Sequence, residues 1–159
     1  MIREAKFEDV PRMAALLAEF HQRSIYAERG QFQAKEVKAL LAHSLQKHGH
    51  RNRGGRFVAV AGEPGVVVGF IVGMLEPVYQ ALDTLMATDL WFICGDDADP
   101  HDALKLLQSF VGWAEGVPKV VEIKGGVTNA MGDDWQRLDA LYRRCGFQPA
   151  GAMYERRVR

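Results

Sequence analysis

The chain has 159 residues, 48% hydrophobic and 25% charged, which is enough for one ordinary globular domain, residues 1–159, with a real core and no room for a second. Twenty Lys and Arg balance twenty Asp and Glu, so no global field draws the protein onto nucleic acid or anionic lipid, and a charge-driven partner has to meet a local patch. The most apolar run, Val66 to Leu75, is ten residues long and carries Gly69 and Gly73, short of the roughly 18 residues that a membrane span needs.

The opening Met-Ile-Arg-Glu-Ala-Lys mixes both signs of charge with no apolar stretch behind it, so neither a secretory signal nor a transit peptide is expected. Cys94 and Cys145 form no C-x-x-C, which points to two structural thiols in a reducing cytoplasm.

Residues 2 to 6 predict a short strand. Glu8-Asp9 before Val10-Pro11 starts a helix, in which Val10, Met13, Leu16, Leu17 and Phe20 recur at helical spacing. A second helix fits Ala34 to Lys47, with Val37, Leu40, Leu41 and Leu45 as its apolar face. Arg56 to Ala61 and Val66 to Tyr79 are β-rich runs around the breaker Gly62-Glu63-Pro64-Gly65 and predict an antiparallel hairpin. Thr88 to Cys94 is a further strand, with Asp89 alternating onto the face of Trp91 and Ile93. The loop Gly95 to Pro100 ends in the N-cap pair Asp99-Pro100, opening a helix from His101 to about Glu115 whose apolar residues cover more than one face, so that it should be largely buried. Lys119 to Val127 predicts a strand, and Asp133 to Arg144 a helix with Trp135, Leu138, Leu141, Tyr142 and Cys145 aligned. Gly146 stops that helix, and Gly151 to Val158 is a closing strand. The order is that of one mixed α/β layer structure without internal repeats.

This order, with three features, resembles the GNAT N-acetyltransferase superfamily, which acylates amines using acetyl-coenzyme A. The features are the opening Ile2-Arg3-Glu4-Ala5 with Asp9 and a helix ending in Leu16, Leu17 and Phe20; the closing Leu141-Tyr142-Arg143-Arg144-Cys145-Gly146-Phe147, similar to the family's "L-Y-x-x-x-G-F"; and the strand Asp89 to Cys94 entering a helix with Leu106-Leu107 and Phe110. With Gly126-Val127-Thr128-Asn129, the pattern looks closest to small members carried by tailed phages. The resemblance implies a GNAT-like fold, a mixed and mostly antiparallel twisted sheet with helices on both faces, and acetyl-coenzyme A as co-substrate.

The same resemblance implies particular residues. Tyr142 stands where the family keeps a tyrosine as general acid to the departing thiolate; its plainer reading is a core tyrosine on the stripe with Leu138 and Cys145. Glu76 and Asp89 are the candidate bases for the acceptor amine, or else solvated strand-end carboxylates. Phe92, Ile93 and Cys94 would offer backbone groups to the pantetheine arm, and Asn129 a further hydrogen bond unless it is a plain turn residue. His21 and Tyr26 follow the first helix, where the family often shapes its acceptor pocket, but they name no acceptor.

One segment departs from the family. Its diphosphate loop has the pattern Q/R-x-x-G-x-G/A, because glycines let backbone N–H groups close on the anion. Alignment on Leu106-Leu107 puts Ala98-Asp99-Pro100-His101-Asp102-Ala103 there, and only Ala103 fits. Asp96, Asp97, Asp99 and Asp102 crowd the same loop. Each exposed carboxylate near a diphosphate costs about 0.5 to 1 kcal/mol, so together they could weaken donor binding by up to about a thousandfold. Lys105, Arg143, Arg144 or the group Arg51, Arg53 and Arg56 would offset this if they fold over the site. The competing reading is a catalytically inactive member of the fold, an interaction or structural protein with a protein partner or a homo-oligomeric interface, such as a phage virion component.

His43, His48 and His50 lie near Arg51 and Arg53 without an accompanying acid or cysteine, so no metal is expected there. The same basic stretch has no interleaved aromatic residue, and nucleic acid is not the expected partner.

Overall fold

The computed structural model describes residues 1–127, 130 and 135–158. Its elements in chain order are β1 (Ile2–Glu4), α1 (Val10–Arg23), α2 (Ala34–Gln46), β2 (Arg56–Ala61), β3 (Gly69–Pro77), β4 (Leu85–Cys94), α3 (Pro100–Glu115), β5 (Val120–Lys124) and α4 (Trp135–Arg144). The strands form a five-stranded sheet in sequential order, antiparallel from β1 to β4, with β5 parallel to β4. The parallel pair follows from α3, which carries the chain back across the sheet between them.

Strand alternation gives the sheet two apolar faces. On one, Val58, Val60, Phe70 and Val72 pack under α1 and α2 against Met13, Leu16 and Leu41. On the other, Phe57, Ala59, Ile71 and Leu75 pack under α3 and α4 against Leu106, Phe110 and Tyr142. The helices therefore lie on both faces, as the sequence predicts. Helix α3 is less enclosed than its composition implies: Leu106, Leu107, Phe110 and Ala114 are buried while Lys105, Gln108 and Gly112 stay exposed. Gly73 is required on β3, since a Cβ there would lie 2.4 Å from the Phe110 ring. Glycine thus leaves room for the Phe110 ring against the strand.

The N-terminus is clasped by Arg3, whose guanidinium donates to both carboxylate oxygens of Asp9 at 2.8 Å and to the Gly62 carbonyl at 3.2 Å. Asp9 is 1% exposed, and the hydrogen bond from Arg3 holds its carboxyl below the usual range against the opposing effect of burial.

Two sequence expectations fail. The closing strand at Gly151 to Val158 does not form: those residues are exposed and pair with no strand, and the sheet ends at β5. A β-prone run needs a partner edge as well as propensity. Asp89 does not share a face with Trp91 and Ile93. In the β3–β4 register Val72 opposes Trp91 while Gly73 opposes Asp89, so Leu90 is an extra residue, a β-bulge. Before the bulge Leu85 and Ala87 face α3 and α4; beyond it Phe92 and Cys94 do, and Leu90, Trp91 and Ile93 turn toward α1.

Candidate functional site

The bulge coincides with a parting of strands. Strand β5 pairs with β4 only from Leu85 to Thr88, so from Asp89 to Cys94 the edge of β4 facing away from β3 has no strand partner among the described residues. Over this free edge lies a cleft of about 570 Å³, bounded by the end of α1, by β4 and by α4.

Asp89 stands at the junction. One carboxylate oxygen accepts from the Gly126 backbone N–H at 3.0 Å, and the other accepts from the Tyr142 hydroxyl. Burial pushes the Asp89 carboxyl above its ordinary value, partly opposed by these two hydrogen bonds. Tyr142 is 4% exposed and its hydroxyl is pushed upward, first by burial and then by the Asp89 charge, so it holds its proton firmly. Its ring meets Phe92 and Phe147 edge-on. Gly125 is likewise required by the packing, because a Cβ there would lie 1.9 Å from the Tyr142 ring. The pair therefore depends on Gly125 for space and on Gly126 for a donor. Asp89 lines the cleft itself, whereas Tyr142 sits behind it and lines an adjoining cavity with Trp135 and Phe147.

The structure thus brings together Tyr142 and Asp89, two residues singled out separately in the sequence, and leaves Glu76 elsewhere. Glu76 opposes Met86 near the far end of the β3–β4 ladder, on the face of β3 opposite Leu75, outside the cleft. Phe92, Ile93 and Cys94 lie on the free edge and line the cleft. Burial raises the Cys94 thiol to about 11, with Asp102 adding to it, so this is not a reactive thiolate. Asn129, with Thr128, lies outside the described residues, as do Asp133 and Asp134 at the expected start of α4. Tyr26 lines the cleft, but His21 does not: its ring contacts the Gly30 carbonyl at 3.0 Å and packs against Phe32.

Between α3 and α4 a second cavity, about 480 Å³, continues from the cleft and shares Phe92, Cys94 and Leu138 with it. The start of α3 lines this cavity through Asp99, Pro100 and Ala103, but the helix terminus is internally satisfied. The Asp99 side chain accepts from the His101 N–H at 2.7 Å, the Asp99 carbonyl accepts from Asp102 and Ala103, and Pro100 has no N–H. His101 contacts the Asp99 carboxylate through its ring as well, and Asp102 lies 3.8 Å from the terminal ammonium of Met1. Asp96 pairs with Arg23 at 2.6 Å.

Of the cations proposed to offset these acids, Arg144 lines the cavity, joined by Arg137, which the sequence reading missed. The signal was present: the two are seven residues apart on one helix, hence on one face. Arg143 turns instead to Asp139 at 2.8 Å. Arg51 donates to the Gly116 carbonyl at the opposite end of α3, about 24 Å away along a helix of this length. Arg56 donates to Gly54 and Gly55, and His48 accepts from the Val58 N–H at 3.0 Å, so both serve the fold locally.

The sequence matches no protein-family model and no curated protein. Solved structures match over nearly the whole chain. They include a transcriptional regulator from Bacillus halodurans C-125 (16% identity, 99% of each chain, TM-score 0.71). A ribosomal-protein-alanine N-acetyltransferase from Brucella melitensis biovar Abortus 2308 matches with 17% identity over 99% of each chain and a TM-score of 0.65. A glucosamine-6-phosphate N-acetyltransferase from Arabidopsis thaliana has 10% identity, covering 99% of this chain and 97% of its own, with a TM-score of 0.67. At such identities the likeness establishes the fold, the mixed α/β sheet of GNAT-type acetyltransferases. Among the described residues no helix is long and apolar enough to cross a membrane.

Proposed function

We propose that this protein is an N-acetyltransferase that moves an acetyl group from acetyl-coenzyme A directly to an amine. The observation that carries the reading is the parting of β4 from β5 over a cleft that Asp89 lines, with Tyr142 hydrogen-bonded to it from behind. On this reading residues 1–159 are one domain working in the cytoplasm, that of a host if the protein is phage-borne.

The residues present fit the donor, in two different ways along its length. The amide-rich arm would lie against Leu90 to Cys94, whose outer backbone groups have no strand partner among the described residues. The diphosphate would find few N–H groups left at the start of α3, because Asp99 takes them. Arg137 and Arg144, which line the adjoining cavity, would meet its charge instead.

Bound acetyl-coenzyme A supplies a thioester carbonyl. Asp89, ionised above its raised pKa, takes a proton from the entering ammonium. The amine nitrogen then bonds the carbonyl carbon, and the carbon–sulfur bond breaks. Tyr142 gives its hydroxyl proton to the thiolate sulfur and recovers one from Asp89 across their hydrogen bond. Of the two protons that the ammonium loses in becoming an amide, one thereby ends on the thiol and the other leaves the nitrogen for solvent as the carbon–sulfur bond breaks, and the pair returns to its starting state.

Thermal unfolding with acetyl-coenzyme A tests the reading. At about 1 mM, if that is near a hundredfold the dissociation constant, ligand adds about 2.7 kcal/mol, which predicts an upward shift of about 5 to 10 °C. Tyr142→Phe should keep the fold and lower turnover about a hundredfold. Absence of any shift would overturn the proposal in favour of an interaction protein, a reading that draws on the satisfied amides at the start of α3.

A further inference from the structure

We infer that the acceptor is a primary amine carried on an aromatic group, held in the part of the cleft that lies toward α1. This rests on the acetyl-transfer reading and adds the substrate class to it. The cleft divides by its lining. Phe92, Cys94 and Leu138 also line the cavity that runs to the start of α3, so the donor arm belongs on that side. Leu17, Phe20, Tyr26, Leu90, Trp91 and Trp135 line the cleft and not that cavity, and all of them present apolar or aromatic surface, while Arg23 of α1 lines the same part with its charge met by Asp96.

The bulge makes this possible. Without the extra residue Leu90, β4 would not present two successive apolar side chains, Leu90 and Trp91, on the side of α1.

Charge complements the apolar surface. Among the described residues, the carboxylates lining the cleft are Asp89 and Asp96. Asp96 is exposed on the rim and already paired with Arg23 at 2.6 Å, so its charge is met. Asp89 is half-buried at the inner end of the cleft lining, held by Gly126 and Tyr142, and of the two it is the one without a cationic partner. One deep carboxylate beside an aromatic wall suits a single ammonium attached to a ring. A polyamine or an aminosugar antibiotic would instead bring further charges and hydroxyls against a wall whose described residues leave them unpaired.

Trp91 and Trp135 on the lining provide a direct readout, because Trp113 packs away from the cleft against Phe57 and Phe110. Intrinsic fluorescence titrations with phenethylamine and with putrescine, paired with thiol-release assays using acetyl-coenzyme A, test the inference. The expected result is a saturable fluorescence change with phenethylamine and a preference over putrescine in kcat/KM of about thirtyfold, the size of one buried ring. Tyr26→Ala, a change on a partly exposed side chain, should raise the KM for phenethylamine about three- to tenfold with the melting temperature preserved. Saturable phenethylamine binding without thiol release would support the aromatic-amine site while removing the acetyl-transfer reading. Thiol release with putrescine preferred would keep acetyl transfer and overturn the inference, and so would the lack of a fluorescence response to phenethylamine.

Discussion

Between Leu85 and Thr88, strand β4 is hydrogen-bonded on both edges, to β3 and to β5, and Leu85 and Ala87 are sealed beneath the helices. Between Asp89 and Cys94 the same strand keeps, among the described residues, only β3, gains a bulge at Leu90 and borders a cleft. The first half is paired to a strand on each side and so holds the sheet together. Among the described residues, the second leaves one edge without a strand and places a half-buried carboxylate where the pairing stops. Sites of chemistry need polar groups that the fold has not already consumed, and here a single strand divides its backbone between the two purposes.

The sharpest way to break this contrast is Asp89→Asn. If the second half is the reacting half, kcat/KM should fall about a hundred- to ten-thousandfold while circular dichroism stays that of the parent. Stability supplies an independent check. The Asp89 carboxyl is raised in the folded chain, so the folded state holds this proton more tightly than the unfolded one. Its contribution is complete below the ordinary carboxylate value and lost as pH rises through the raised one. Asp89→Asn has no such proton to lose, and its melting temperature should therefore gain on the parent's across that window. A constant difference across pH would show that Asp89 does not titrate abnormally.

Gly125→Ala comes next in size. Its Cβ would meet the Tyr142 ring at 1.9 Å, so the ring has to move away from Asp89. Overpacking of this kind costs about 1 to 3 kcal/mol, or about 3 to 10 °C in melting temperature. Turnover measured well below the melting point should fall further than stability accounts for; turnover equal to the parent's would separate the pair from the chemistry.

The smallest effects lie at the start of α3, and they should have opposite signs. Arg144→Ala should weaken acetyl-coenzyme A binding about three- to tenfold, less so at high salt. Asp99→Ala frees the His101 N–H and removes one negative charge, so binding should tighten about two- to fivefold while the helix, without its cap, melts lower. Isothermal titration at two ionic strengths reads both changes. Weaker donor binding in Asp99→Ala would place the diphosphate away from α3.

The layered fold was legible in the sequence because helical stripes such as Val10, Met13 and Leu17, and the Gly62–Gly65 turn, are local signals. Asp89 and Tyr142 were legible as chemically suitable residues. Their hydrogen bond was not, because it joins positions 53 residues apart through the exact placement of two elements. The bulge left no trace either. Leu90-Trp91-Phe92-Ile93 is uniformly apolar, so no alternation betrays the extra residue. The run from Gly151 to Val158 has strand-like composition and still lies exposed, since composition says nothing about an available partner.

The clasp made by Arg3 has a consequence in time. Its acceptor at Gly62 lies 59 residues further along the chain. During synthesis at about 5 to 20 residues per second, roughly 3 to 12 s separate the two. Through that interval β1 has no neighbour to join, and the apolar stripe of α1 waits for Val58 and Val60 to arrive. A nascent chain halted before Gly62 should therefore remain a client of the chaperones that hold unfolded segments at the ribosome, and one extended past β3 should be released.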